Sequence, residues 1–256
     1  MPIHFVNFTK DEFLSKKVLH RYMPLEYALK MLNEKALWFA NPQIWKDPFE
    51  KRFITAKFKS GAKEQDFPWK DKVFCYCSTQ TYTSEAYWNT YSRGQVGIEF
   101  MINRQVLLNE LGKISKDLDV YIGRVEYMLT KNIKKSLSSI PFDPPIPSNF
   151  DNEMCARLLL LKRIAFAYED EVRILIVAKD KSKNKDGIKI QYSCKNTDLI
   201  QSITLAPSLE ENTTKLFKDV FENKYEFSPV TTSTGHKSRV LKSQLYAEQK
   251  CTNINL

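Results

Sequence analysis

Glycine is scarce in this chain, at 7 in 256 residues. No G-x-G-x-x-G follows a strand-like stretch and no G-x-x-x-x-G-K occurs, so neither a Rossmann fingerprint nor a P-loop is encoded. Any phosphate site must then be built from Arg, Lys and helix ends. Histidine is scarcer still, at 3 (His4, His20, His236), and no Cys/His cluster has zinc spacing. The 5 cysteines are an odd number, which argues against a disulfide framework. Cys75-Tyr76-Cys77 lies on a strand pattern; its thiols are expected to diverge to opposite faces, which sets it aside as a metal or redox motif. No apolar run reaches the roughly 18 residues that a membrane span needs. The N-terminus, Met1 to Phe8, lacks a basic flank before a long apolar stretch, so no signal peptide is expected and the chain reads as soluble and cytoplasmic.

Aromatic residues and positive charge are abundant. With 16 Phe, 12 Tyr and 43% apolar residues the chain can fill a sizeable core, read as a single domain over 1–256. The net charge of +9 favours an acidic partner, nucleic acid or an anionic ligand.

Periodicity predicts a strand from Val18 to Tyr22, then a helix opened by Pro24 with Leu25, Ala28, Leu29 and Leu32 on one face. A short strand from Ala36 to Ala40 ends at Asn41-Pro42, and Trp45 to Glu50 reads as a rigid aromatic loop. Further strands are expected from Val73 to Ser78, Gln95 to Phe100 and Tyr121 to Met128, with a helix capped by Asn103 and stopped by Gly112. Residues 131–149, with their lysines and four prolines, read as an exposed loop. Asp151 caps a helix expected to reach about Phe166. Ile188 to Tyr192 is expected to pair back on the preceding strand, and Ser208 with Glu211 to form a capping box. A last strand is expected from Tyr225 to Val230, before a basic tail over 235–256. Short antiparallel strands with inserted helices indicate an α+β fold.

The run Glu169-Asp170-Glu171-Val172-Arg173 stands at the mouth of the most apolar strand-like segment. In a strand Glu169, Glu171 and Arg173 share a face. Alone, the run reads as an edge-strand ion pair between Glu171 and Arg173. Three other stretches mix polar and aromatic residues: His20-Arg21-Tyr22; Trp38-Phe39-Ala40-Asn41-Pro42 with Asp47-Pro48-Phe49-Glu50; and Trp88 with Tyr91, before Gly94. Singly, each reads as core or turn.

In order, these stretches resemble a widespread bacterial domain family of unknown function, over about residues 18–207. Its pattern has an aromatic-Arg strand, W-F-x-x-P with D-P-F-E, W-x-x-Y, and a late E-x-E-x-x-R-like run, in which Val172 stands here where Trp is usual. That family is in turn similar to ADP-ribosyltransferases, including DarT-like enzymes that modify nucleic acid. The resemblance implies split antiparallel sheets with inserted helices, NAD+ as substrate, and no metal. It implies Glu171 as the catalytic carboxylate, Arg21 or His20 on the nicotinamide amide or a phosphate, and Tyr22, Trp38 or Phe39 against the nicotinamide ring. Asn41, Asp47, Trp88, Tyr91 and Arg173 complete the expected NAD+ site, and Glu169 or Asp170 takes the acceptor's proton. It further implies a bacterial toxin or anti-phage effector, with an antitoxin as the partner such a toxin needs. The alternatives are a non-catalytic nucleic-acid-binding module and a metal-dependent nuclease using Glu169, Glu171 and Asp47, with Lys162 or Lys179 nearby.

Overall fold

The computed structural model describes residues 3–52, 54–60, 63–82, 84–91, 96–114, 118–138, 151–232 and 235–246. The strand Glu171–Ala178 runs antiparallel between Val73–Thr79 and Leu118–Arg124 in a ten-stranded sheet. Val172, Ile174 and Ile176 pack with Phe39, Phe74 and Phe100 on one face, while Leu175 and Val177 pack with Val73 and Tyr121 on the other. A strand covered on both faces needs apolar residues at every position, which explains the unbroken run from Ile174 to Val177. The fold is mixed, α+β in class, and mostly antiparallel. Two edge pairs are parallel: Ile3–Val6 on Leu118–Arg124, and Val240–Lys242 on Ile200–Leu205.

The sheet forks at Val73–Thr79. Thr79 bridges to His20 of the strand Val18–Pro24, and Cys75 bridges to Ala40 of the strand Ala36–Ala40. One branch continues from Val18–Pro24 through Gly97–Asn103 and Ile200–Leu205; the other ends at Gly187–Gln191. Between the two bridges, Arg21 and Tyr22 face Tyr76 and Cys77 without a ladder.

The helix Leu25–Glu34 buries Ala28, Met31 and Leu32 and stops at Lys35, whose φ of 48° is left-handed. The helix Arg104–Leu111 starts where Asn103 Oδ1 accepts from the Val106 N–H at 3.1 Å. Both match the pattern in the sequence.

Several expectations fail for local reasons. Residues two apart on a strand share a face, so Cys75 and Cys77 lie together, with their Sγ atoms 3.7 Å apart. Gly187–Gln191 pairs with Ala36–Ala40 and not with Glu171–Ala178. Gly187 allows this, since a Cβ there would sit 2.4 Å from the Phe39 carbonyl oxygen. The helix capped by Asp151 spans only Asn152–Leu158; a strand Leu161–Arg163 and a 3-10 helix Ile164–Glu169 follow. The strand expected from Tyr121 to Met128 breaks at Val125, and Glu126–Met128 runs beside Leu161–Arg163. Lys131 begins no loop, because Thr130–Ser138 is helical; residues 139–150 lie outside the described residues. The helix Glu211–Lys224 follows Glu210 with no side-chain cap, so the Ser208 capping box is not made. Tyr225 to Pro229 is not a strand: Glu226 turns left-handed at φ 62° and Phe227 is buried, its N–H on the Phe221 carbonyl.

Candidate functional site

The fork leaves backbone groups without strand partners, and Arg21 answers one of them by donating to the Cys77 carbonyl. Its guanidinium also lies over the Tyr76 ring, 4.9 Å from the centroid. Beside this contact opens a cavity of about 450 Å³, within the roughly 300–1,000 Å³ of small-molecule sites. Arg21, Tyr22, Tyr76, Trp38 and Tyr91 line it, with Tyr27, Lys30, Glu34 and Lys189. Trp38 is 39% exposed and Tyr27 57%, so two aromatic faces meet solvent at its rim.

Two buried polar atoms at this cavity have no hydrogen-bond partner among the described residues: Arg21 Nε and the Tyr76 hydroxyl. Buried polar atoms in folded proteins are nearly always paired, so these two stand out beside the cavity. Burial pushes the Tyr76 hydroxyl up to about 12 against the pull of Arg21, so it remains a donor at neutral pH.

Next to the fork lies a buried cluster of charges. Arg173 Nε and Nη2 donate to Glu171 Oε2 at 3.0 and 2.5 Å, and Nη1 donates to the Leu159 carbonyl at 2.6 Å. Arg173 also pairs with Glu50 and stacks 4.4 Å from the centroid of Trp45. Lys162 pairs with Glu169 and lies 3.4 Å from Glu171 Oε2 and 3.6 Å from Glu50 Oε2. Three carboxylates thus surround two cations. Burial, with Glu171 beside it, raises Glu169 to about 7 despite Lys162. Burial also pushes Glu171 up, but Arg173 and Lys162 outweigh it and hold Glu171 below the ordinary value, ionised. The three side-chain bonds to Glu171 fall on Oε2, and among the described residues none falls on Oε1.

The structure brings Arg21, Tyr22, Trp38 and Tyr91 to one cavity. Glu171, Glu169 and Arg173 meet in the charge cluster, and Glu171, at 4% exposure, is not among the cavity-lining residues. The two regions adjoin electrostatically. Burial raises the Tyr91 hydroxyl and Glu171 raises it further; Glu171 also helps, after Tyr76, Cys77 and Tyr91, to hold Arg21 above its ordinary value against burial. Glu169 is not on the strand of Glu171. It ends the 3-10 helix, and left-handed Asp170 turns the chain so that both carboxylates still reach Lys162.

Other expected residues fall elsewhere. Phe39 is fully buried on the face opposite Trp38, against Tyr76. Trp88 packs edge-on behind Tyr22. Asn41 and Asp47 cap the turns that follow them, and Asp47 pairs with Arg163 at 3.1 Å. His20 does not line this cavity; its Nδ1 lies 2.7 Å from Glu99 Oε1. Gly94 lies outside the described residues.

Reading by motif missed Tyr76, Tyr27, Lys30 and Lys189 at the cavity and Glu50 in the cluster. Glu50 was visible as the last residue of Asp47-Pro48-Phe49-Glu50. Tyr76 had only strand alternation to mark it. Compared with family models, with curated proteins and with solved structures, the chain matches none.

Proposed function

We propose that the chain is an NAD+-dependent ADP-ribosyltransferase-like enzyme whose substrate enters the cavity at the sheet fork. The observation that carries this reading is the meeting of Arg21, Tyr22, Trp38 and Tyr91, from separate stretches of sequence, around one cavity with two unpartnered buried polar atoms. A planar ring packs between the aromatic side chains, with Arg21 Nε and the Tyr76 hydroxyl donating to its amide oxygen or to a phosphate. Lys30 and Lys189 at the rim suit a pyrophosphate, although Lys189 shares its charge with Glu34 at 2.9 Å.

The reaction breaks the bond between ribose C1′ and the nicotinamide nitrogen, and positive charge develops on the sugar as in glycoside cleavage. Glu171, ionised and with Oε1 unbonded among the described residues, accepts from a ribose hydroxyl and stabilises that charge by a few kcal/mol, on the order expected of one preorganised electrostatic contact. Arg173 and Lys162 hold its orientation. The net charge of +9 favours nucleic acid over protein as acceptor.

One observation favours a second reading, a nucleotide- or nucleic-acid-binding module without catalysis: Glu171 is 4% exposed and outside the cavity lining. Labelled NAD+ incubated with RNA, DNA and protein mixtures separates the two. Transfer to one acceptor class, abolished by Glu171→Gln and by Arg21→Ala, is expected. Transfer that survives both substitutions overturns the assignment, and salt-sensitive nucleic-acid binding without NAD+ consumption favours the binding module.

A further inference from the structure

The reading above leaves one buried polar pair without a role. His20 Nδ1 lies 2.7 Å from Glu99 Oε1, with side-chain exposures of 6% and 1%. In the neutral ring with its hydrogen on Nδ1, donated to the Glu99 carboxylate, Nε2 presents its lone pair. No partner for Nε2 is found among the described residues, where the ring's other neighbour is Tyr82, at 5.5 Å between centroids. Glu99 Oε2 is buried with no hydrogen-bond partner there either, so the hydrogen bond of this carboxylate is spent on His20. An imidazole fixed through one nitrogen by a buried carboxylate, with the other nitrogen unused, is the arrangement of a general base and its orienting group.

Its surroundings tie it to the candidate site. His20 lines a narrow space of about 10 Å³ with Thr79, Tyr87, Arg21, Tyr22 and Tyr91. The last three also line the large cavity, so the narrow space adjoins it at the fork. One water, or one hydroxyl, needs roughly 10–15 Å³ measured this way. The two acidic groups expected to take the acceptor's proton are engaged elsewhere: Glu169 with Lys162, and Asp170 with the Gln80 amide at 3.3 Å.

We propose that His20, positioned by Glu99, removes the proton from the hydroxyl that attacks the ribose. This rests on the ADP-ribosyl-transfer reading. The C1′–N bond breaks and its electron pair leaves with neutral nicotinamide. The acceptor oxygen forms the new bond to C1′, and its proton passes to His20 Nε2 and then to solvent. Glu99 is a positioning residue that fixes the tautomer.

Nicotinamide release from NAD+ with water as acceptor tests the assignment, read beside the Kd for NAD+ from tryptophan fluorescence. His20→Gln is expected to lower kcat roughly 100-fold or more with the Kd within about twofold of the unaltered chain. Glu99→Gln, which keeps shape and a hydrogen bond, is expected to lower kcat roughly tenfold or more, also at unchanged Kd. A kcat for His20→Gln within about threefold of the unaltered chain, or a loss confined to Kd, overturns the assignment. If His20→Gln does not fold, Glu99→Gln decides: a fall in kcat supports the role and an unchanged kcat overturns it. Failure of the unaltered chain to bind or consume NAD+ overturns the functional reading and this role with it, whereas consumption untouched by His20→Gln overturns this role alone.

Discussion

Glu169 is the residue whose protonation state the fold determines most directly. Its carboxyl titrates at about 7 in the folded chain against an ordinary 4.5. Between those values the folded chain holds a proton that the unfolded chain has released. Its contribution to stability is therefore complete below about 4.5 and lost as the pH rises to about 7. Glu171 acts in the opposite sense: held below its ordinary value, it contributes stability above that value and loses it under more acidic conditions. Chemical denaturation across this range is expected to show stability falling from mildly acidic to neutral pH by roughly 1–3 kcal/mol, and Glu169→Gln is expected to flatten that limb; an identical limb in the variant would place the proton elsewhere. Tyr76 gives a second residue-level outcome. Because its hydroxyl has no partner among the described residues, Tyr76→Phe is expected to leave the melting temperature unchanged or slightly higher while weakening NAD+ binding about 3- to 10-fold, as for one hydrogen bond. Equal NAD+ affinity in the variant would remove the hydroxyl from the site.

Among the elements, the short strand Gly187–Gln191 holds the rim of the cavity in place, since it pairs Lys189 opposite Trp38. A Cβ on Gly187 would meet the Phe39 carbonyl oxygen at 2.4 Å and Trp38 Cζ2 at 2.5 Å. Gly187→Ala is expected to cost roughly 1–3 kcal/mol and to shift the tryptophan emission as Trp38 moves; a variant with unchanged stability and emission would contradict this packing. The elements also show what the sequence makes legible. Leu25–Glu34 and Ala36–Ala40 follow from apolar period and from Pro24 and Asn41-Pro42, because those signals are local. The fork does not, since it rests on two single bridges, His20 to Thr79 and Ala40 to Cys75, between distant stretches. The 3-10 helix Ile164–Glu169 is hidden because Met154, Leu158, Leu161 and Ala165 keep helical spacing while the chain turns after Leu158 and is extended over Leu161–Arg163. Arg21, Tyr22, Trp38 and Tyr91, each marked by its motif, line one cavity. Tyr76 was not marked, because Arg21 lies far away in sequence, and Glu50, although visible in Asp47-Pro48-Phe49-Glu50, gave no sign of its distant partner Arg173.

For the whole molecule, one sheet runs from Ile3 to Lys242 and passes through every branch of the fork. Calorimetry is expected to show a single cooperative transition, and two resolved transitions would divide the chain at the fork. No helix among the described residues is long and apolar enough to cross a membrane. The account as a whole depends on what occupies the cavity between the two branches. A crystal structure of the chain with bound NAD+ tests this most directly. The nicotinamide ring is expected between Trp38 and the Tyr22–Tyr91 side of the cavity, with its polar groups on Arg21 Nε and the Tyr76 hydroxyl and the ribose turned toward Glu171 Oε1. NAD+ bound away from this cavity, or no NAD+ bound at saturating concentration, would contradict it.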